Sequence, residues 1–459
     1  MSLEFFFNPK SIAVIGASRT QGKIGYETLK NLIIYDYKGK VYPVNPNAEE
    51  ILGLRCYPSV KEINEQVELA IIVVPAKLVP SVVEECGKKG IKGIVIISSG
   101  FVEIGNYELA EKVLRVAKKH NMRILGPNTM GFKNATDGLD ASFVFGMPYR
   151  GKISIVSQSG ALSVSVIHHA LREKIGLAKV IGVGNKLDLS EEDLIEYLNQ
   201  DKDTKVICMY IEGLKDGRKF LQVAKKCRKP ILVIKSGRTQ AGAKAAISHT
   251  GSLAGIDEIY EGAFKQANII RAKDVTELFD FANALANQPP AKGKRIGIIS
   301  NGGGAGIMLA DTCCENNLLV PELDEKAIAK LEKILPPLVK PRNPVDLVAD
   351  ASFYRYEGAM RTLLEAENID GIIVACVHGG YARPREYVGA VLKIALQSKD
   401  KAPDKPIICC WIGGKEVEEV IEDLKGANIP VYQDTTRAAR AMYALVKEGY
   451  RLGLHRERV

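Results

Sequence analysis

Short, nearly continuous apolar runs recur along the chain, and between them apolar residues return at helical spacing. In the first third the runs are Ile12–Ile15, Gly39–Val44, Leu69–Val74, Gly93–Ser98 and Met122–Leu125. Further on come Lys152–Ser157, Val206–Ile211, Pro230–Ile234, Lys294–Ser300 and Val374–Val377. Runs without polar alternation fit strands covered on both faces, as in parallel sheets. The intervening segments include Leu162, Val166 and Ala170, then Ile256, Ile259, Tyr260 and Phe264, then Ile307, Leu309 and Ala310; they read as helices.

One opening recurs: a basic residue, a short strand and a small-residue turn, at Lys10–Gly16, Lys152–Ser157 and Lys294–Ser300, about 142 residues apart. With 459 residues, this predicts an α/β chain of three consecutive parallel-sheet units, each with its own strand–helix alternation. The expected domains are residues 1–140, 150–286 and 293–459. Asn287–Gly293 reads as a linker, and a softer boundary lies near Gly146-Met147-Pro148.

In open α/β sheets ligands sit at the carboxyl ends of strands. In the first unit these tips carry Gly16-Ala17-Ser18, Asn45-Pro46-Asn47, Pro75-Ala76-Lys77 and Ser98-Ser99-Gly100. The run Gly16 to Gly25 opens a helix and offers backbone N–H groups to a phosphate. It is not G-x-G-x-x-G, and the second strand ends in Val44-Asn45-Pro46 without an acidic residue for a ribose hydroxyl, which disfavours NAD. In the second unit Ser157-Gln158-Ser159-Gly160-Ala161 begins another helix, and Val206–Ile211 ends in Glu212, a carboxylate at a strand tip. In the third, Ser300-Asn301-Gly302-Gly303-Gly304-Ala305 repeats the helix start, while His378 reads as structural. Between Lys235 and Ala254 a stretch rich in small residues is expected to form a long loop carrying His249.

Composition narrows the function. Hydrophobic residues are 46% and charged residues 25%, and no apolar run has the ~20 residues a membrane span needs. With an N-terminus unlike a signal peptide, this predicts a cytoplasmic protein that engages no membrane. The nine cysteines are scattered without C-x-x-C, so neither a disulfide framework nor a metal site is expected. The net charge of +9 is dispersed among acidic residues; small anionic ligands fit this better than nucleic acid does.

Six ordered motifs, spread over essentially the whole chain, carry a resemblance. They are Pro9–Ser18, Gly126-Pro127-Asn128-Thr129-Met130-Gly131, Ser157–Leu162, Val183-Gly184-Asn185-Lys186, Ser248-His249-Thr250-Gly251 and Asn301–Gly304. Together the chain resembles the alpha subunit of ADP-forming acetyl-CoA synthetases, relatives of succinyl-CoA synthetase. The resemblance implies a Rossmann-like CoA-binding domain followed by two flavodoxin-like domains. It implies the reversible reaction of acetyl-CoA, ADP and phosphate to acetate, ATP and CoA, through an acyl phosphate and a phosphohistidine. It places the phosphohistidine on His249, the carboxylate that steadies it on Glu212, and the phosphate-gripping helix starts on Ser159, Gly160, Ala161 and Gly303, Gly304, Ala305. CoA is expected near Gly16, Ala17, Ser18, Gly22, Asn45, Pro75, Ser98 and Asn128. No Walker A motif or ATP-grasp pattern is found, so Mg-ADP or Mg-ATP is expected on a separate ATP-grasp beta subunit, in an alpha2beta2 assembly. A non-catalytic CoA sensor of the same fold would need neither His249 nor Glu212.

Overall fold

The computed structural model describes residues 3–35, 37–244, 256–379, 383–401 and 405–455. The chain divides into two compact units, Met1–Val275 and Thr276–Val459. The expected alternation of strands and helices is observed throughout, and every apolar run named above contributes a strand.

The first unit holds two large sheets. One takes β1 (Ser11–Ile15), β2 (Lys40–Val44), β5 (Leu69–Ile72), β6 (Gly93–Ile96) and β7 (Arg123–Leu125), all parallel, in the order β2-β1-β5-β6-β7. A short hairpin, β3 (Glu50–Ile51) and β4 (Leu54–Arg55), lies outside it. Every residue of β1, β5 and β6 is buried, as strands covered on both faces require. Helix Tyr107–Lys119 turns Ala110, Val113 and Ala117 inward, and the Asn106 side chain caps its start by accepting from the Leu109 N–H.

The second sheet has the order β14-β13-β12-β10-β11-β8-β9. Its parallel part consists of β10 (Arg150–Ser157), β11 (Leu177–Gly182), β12 (Val206–Ile211), β13 (Ile231–Lys235) and β14 (Ile270–Arg271). The hairpin of β8 (Gly131–Asn134) and β9 (Leu139–Ser142), absent from the sequence reading, adds antiparallel to β11. Its strands are short and interleave buried apolar residues (Phe132, Leu139, Ala141) with buried polar ones (Lys133, Asn134, Asp140, Ser142), so no continuous apolar run marks them. Lys133 and Asp140 form a fully buried ion pair there, and the Lys133 ammonium also donates to the Val144 carbonyl at 2.7 Å. Burial pushes the Asp140 carboxyl up to about 6 against the pull of Lys133.

The two sheets share one core. Phe7 packs edge-on against Phe132 at 5.1 Å and stacks on Tyr197 at 4.6 Å. The Asn31 amide of helix Ile24–Ile34 donates to Ser142 and Val144 carbonyls, at 2.9 and 3.2 Å. The segment after β11 lies along β7, where Leu187 and Leu189 N–H groups donate to Gly126 and Ile124 carbonyls at 2.9 and 3.1 Å. The otherwise open edge of the first sheet is thereby covered.

The stretch following β13 differs from the expected loop: residues 240–244 are already helical. His249 lies outside the described residues. Helix Asp257–Gln266 follows with Phe264 buried, while Ile256 and Ile259 of the same apolar spacing are exposed.

The second unit has β15 (Ile296–Ser300), β16 (Val345–Asp346), β17 (Gly371–Val377), β18 (Ile407–Ile412) and β19 (Val431–Tyr432), parallel in the order β16-β15-β17-β18-β19. Its core centres on Trp411, Tyr356 and Tyr387, the last two stacked at 4.4 Å.

The closest approach in the first sheet is at its first turn. Gly16 adopts φ +94°, and a Cβ on Gly25 would stand 2.1 Å from the Gly16 carbonyl oxygen. Gly25→Ala is therefore expected to lower unfolding free energy by about 1–3 kcal/mol, since backbone must shift to admit the methyl group. Urea unfolding checks it; unchanged stability would contradict the tight seat of the helix.

Candidate active site

The carboxyl ends of strands from both sheets of the first unit meet in one cavity of about 1360 Å³. From the first sheet come Val73, Val74 and Pro75 after β5, Ile97, Ser98 and Ser99 after β6, and Pro127 to Met130 after β7. From the second come Gln158 to Ala161 after β10, Gly184 to Leu187 after β11, and Glu212 to Lys215 after β12. Two crevices of the kind that hold ligands in open α/β sheets are thus fused into one.

The structure sorts the expected CoA residues into two sets. Pro75, Ser98 and Asn128 line this cavity, together with Ser159, Gly160, Ala161 and Glu212. Gly16, Ala17, Ser18, Gly22 and Asn45 do not line it; they cluster at the neighbouring tips of β1 and β2. There the Gly16 N–H donates to Val44 at 3.0 Å and the Asn45 amide to the Ala17 carbonyl at 2.7 Å. The two sets touch, since the turn at Gly16 abuts Val73 and the helix beyond it presents Ile24 to the cavity. In this turn the protein answers some donors itself: Ser18 Oγ accepts from the Thr20 N–H at 3.0 Å, and the Glu27 carboxylate takes the Gly22 N–H at 2.9 Å.

The start of helix Gly160–Arg172 is built by three short hydrogen-bonded links. Ser157 Oγ donates to the Ser159 carbonyl at 2.9 Å and accepts the Ser159 N–H at 3.2 Å, which folds the turn back on itself. Ser159 Oγ then caps the helix by accepting from the Leu162 N–H at 3.2 Å. The second unit repeats the turn. Ser300 Oγ donates to the Gly302 carbonyl at 2.8 Å and accepts the Gly302 N–H at 3.0 Å, ahead of helix Gly303–Glu315. Gly303 and Gly304 are exposed there and Ala305 is buried. Each helix start presents unsatisfied N–H groups and the positive end of a dipole, a ready seat for an anion.

Glu212 is half-buried at the tip of β12, and its backbone is tied from the side. Gln158 Oε1 accepts from the N–H groups of Glu212 and Gly213 at 2.8 and 3.1 Å, and Gln158 Nε2 donates to the Gly213 carbonyl at 2.8 Å and to Glu191. Lys186, buried, donates to the same Gly213 carbonyl at 2.7 Å and pairs with Glu191 at 3.1 Å. None of Gln158, Lys186 and Glu191 was assigned a role from the sequence, although the first two lie in quoted motifs. Lys186 is signalled only by its left-handed φ of +54°, which is visible in three dimensions and not in the sequence.

Opposite them, Glu103 takes the N–H groups of Gly100 and Phe101 at 2.5 and 3.2 Å and the Asn185 amide. Burial works to raise the Glu103 carboxyl, but these donors outweigh it and hold it below the usual carboxylate range. At the rim, burial and then the Lys186 charge push the Lys215 ammonium below its ordinary value, against the pull of Glu191. His378 lies 3.6 Å from Glu416 in the second unit. Among the described residues no cluster of His, Cys, Asp and Glu could hold a metal ion, and no helix is long and apolar enough to cross a membrane.

Comparison with known proteins matches this geometry in order along the chain. Residues 10–135 match a CoA binding domain, 150–285 a succinyl-CoA ligase like flavodoxin domain and 296–453 a Ligase-CoA domain. The acetate–CoA ligase [ADP-forming] I subunit alpha of Pyrococcus furiosus is 44% identical over 467 residues, covering 100% of both chains. The acetate–CoA ligase [ADP-forming] of Methanocaldococcus jannaschii is 44% identical over 447 residues, 97% of this chain; the chain spans 63% of that relative's length. In structure, the dinucleotide forming acetyl-coenzyme A synthetase 1 of Ca. Korarchaeum cryptofilum, in complex with phosphate and ADP, superposes with a TM-score of 0.94 at 39% identity. The superposition covers 99% of this chain and 98% of that one. With two sheets converging on one cavity and relatives that align from end to end, this chain belongs to the family of ADP-forming acetate–CoA ligases and corresponds to their alpha subunit.

Proposed function

We propose that the chain carries out the acyl and phosphohistidine half of the reversible conversion of acetyl-CoA, ADP and phosphate to acetate, ATP and CoA. The observation that carries this reading is the single cavity. Strand tips of the part matching a CoA binding domain and the Ser159-Gly160-Ala161 helix start with Glu212, from the part matching a succinyl-CoA ligase, face one open cleft. A thioester delivered by the first part would meet a phosphate seated by the second. The units at 1–140, 150–286 and 293–459 then act as a CoA domain and two ligase domains.

In this reading phosphate, held at the N-terminus of helix Gly160–Arg172, attacks the thioester carbonyl; the C–S bond breaks and CoA leaves as its thiolate. The resulting acetyl phosphate passes its phosphoryl group to the neutral His249 imidazole, with acetate as leaving group. Imidazole is neutral and nucleophilic above its unperturbed pKa of ~6.5. A carboxylate at Glu212, accepting from the far ring N–H, fixes the tautomer and favours the positive charge that grows as the N–P bond forms. The helix starting at Gly303 presents an N-terminal dipole of the same kind within its own unit, each such dipole contributing roughly 0.3–2 kcal/mol toward a bound phosphate. CoA is taken to run from the Gly16–Gly22 turn and Asn45 past Pro75, Ser98 and Asn128 into the cavity.

The phosphoryl group then passes to Mg-ADP on a separate ATP-grasp beta subunit, in an alpha2beta2 assembly in the cytoplasm. Support comes from the alpha-subunit relative of full length and from the longer relative of which this chain spans 63%.

His249→Ala should abolish ATP formation with the partner subunit while leaving CoA binding intact; full activity in this variant would remove His249 from the mechanism. Glu212→Gln keeps the shape and removes the charge. It should slow phosphorylation of His249 by about tenfold or more with nearly unchanged melting, as rapid-quench assays would show; a wild-type rate would exclude Glu212. Replacing Ser18 and Gly22 together by bulky residues should weaken CoA binding at least about tenfold in calorimetry, about 1.4 kcal/mol. Unchanged affinity would place CoA elsewhere.

A further inference from the structure

The parallel ladder between β10 and β12 ends at Ser157 opposite Tyr210, with the Gln158 N–H donating to the Tyr210 carbonyl at 3.3 Å. Beyond that rung no strand of the β10 side is left to hold Glu212. The Gln158 side chain takes over. Its carboxamide has the donor and acceptor of a peptide group, and it uses both on the Glu212–Gly213 backbone: its oxygen accepts from two N–H groups, at 2.8 and 3.1 Å, and its nitrogen donates to one carbonyl, at 2.8 Å.

The carboxamide is itself fixed. Its Nε2 also donates to Glu191, a carboxylate 1% exposed in the first turn of helix Glu191–Gln200. The same Glu191 oxygen accepts from Lys186, whose ammonium reaches the Gly213 carbonyl at 2.7 Å. Lys186 comes from the tip of β11, so three strand tips are joined at one carbonyl. On its other side, the backbone before Glu212 is held by the Ser236 N–H donating to Ile211 at 3.0 Å. A backbone bound on both flanks gives its side chain one origin and one direction.

We propose that Gln158, backed by Lys186 and Glu191, is a positioning residue for Glu212: it extends the sheet by one side-chain rung and thereby sets where the Glu212 carboxylate stands toward the histidine. This rests on the reading that Glu212 acts on His249. Gln158 touches no reacting atom in this account; its effect passes through the Glu212 backbone. The second unit uses the same device, since Asn301 accepts from the Val377 N–H at 2.7 Å and donates to the Val377 carbonyl at 3.0 Å.

A double-mutant cycle with the complete enzyme, this chain with its partner subunit, tests the proposal. Gln158→Ala should lower kcat for ATP formation by about tenfold to a hundredfold, the loss expected from a small displacement of a reacting group. KM for acetyl-CoA should stay within about twofold, because uniform binding is untouched. In a Glu212→Gln background, Gln158→Ala should cost nothing further, since its effect has no carboxylate left to act through. Gln158→Glu is the second variant: it keeps the acceptor for the two N–H groups, loses the donor to Gly213 and Glu191, and should also slow turnover. The proposal is overturned if a folded variant turns over at the wild-type rate, if the loss persists in the Glu212→Gln background, or if neither variant folds, which assigns the network to stability alone. A fully active Glu212→Gln enzyme fails the prior reading of Glu212, and the single variants report that separately.

Discussion

The architecture of the site depends on the way two sheets, consecutive in sequence, share one hydrophobic core and open their strand ends into one cavity. The hairpin β8–β9 follows β7 in the chain but pairs with β11 of the second sheet, and the helix Ile24–Ile34 beside the first sheet holds its end through the Asn31 amide on the Ser142 and Val144 carbonyls. At that seam sit Lys133 and Asp140, both fully buried and paired. A pair like this contributes little net stability against an apolar alternative, but losing one partner leaves an uncompensated buried charge, often 3–5 kcal/mol on measured scales (about that order). Phe7 packs against Phe132 and Tyr197 in the shared core, and the 185–189 segment lies on the free edge of β7. Carboxyl ends of strands from both sheets open into one cavity.

Within that frame one local device recurs. A serine at the end of a strand folds the next residues into a helix start through its own hydroxyl, at Ser157 and at Ser300. The residue after it, Gln158 or Asn301, uses a side-chain amide to hold the end of the neighbouring strand. Turn, helix dipole and strand tip are therefore built as one piece, and an anion seat comes with its neighbouring group already placed. This is why short polar motifs carry so much of the chemistry while the strands behind them are almost wholly apolar.

Much of the fold was legible in the sequence because buried parallel strands are continuous apolar runs: Ile12–Ile15 and Val206–Ile211 could hardly be anything else. The hairpin was not, since Lys133 and Ser142 are satisfied by Asp140, and Asn134 by the Phe7 carbonyl and Asp137, inside the protein, and no pattern of hydrophobicity reports a polar pair that is buried. Pro75, Ser98 and Glu212 were expected at strand tips, where ligands of open sheets sit, and Asn128 from a motif of the resemblance; all four line the cavity. The placement of Gly16 to Gly22 beside the cavity and not in it was beyond such reasoning; it depends on which way the turn leans over Val73. Gln158, Lys186 and Glu191 were missed because their roles are toward backbone groups from strands far apart in sequence, and side-chain type alone does not announce that.

The central claim is that the thioester of acetyl-CoA enters the cavity shared by the two sheets. A crystal structure of the chain with a non-hydrolysable thioether analogue of acetyl-CoA tests it most directly. The account predicts the thioether and its acetyl-like end in the space bounded by Ser98, Asn128, the Ser159–Ala161 helix start and Glu212. An analogue fully occupied elsewhere, with this cavity filled only by solvent, would contradict it.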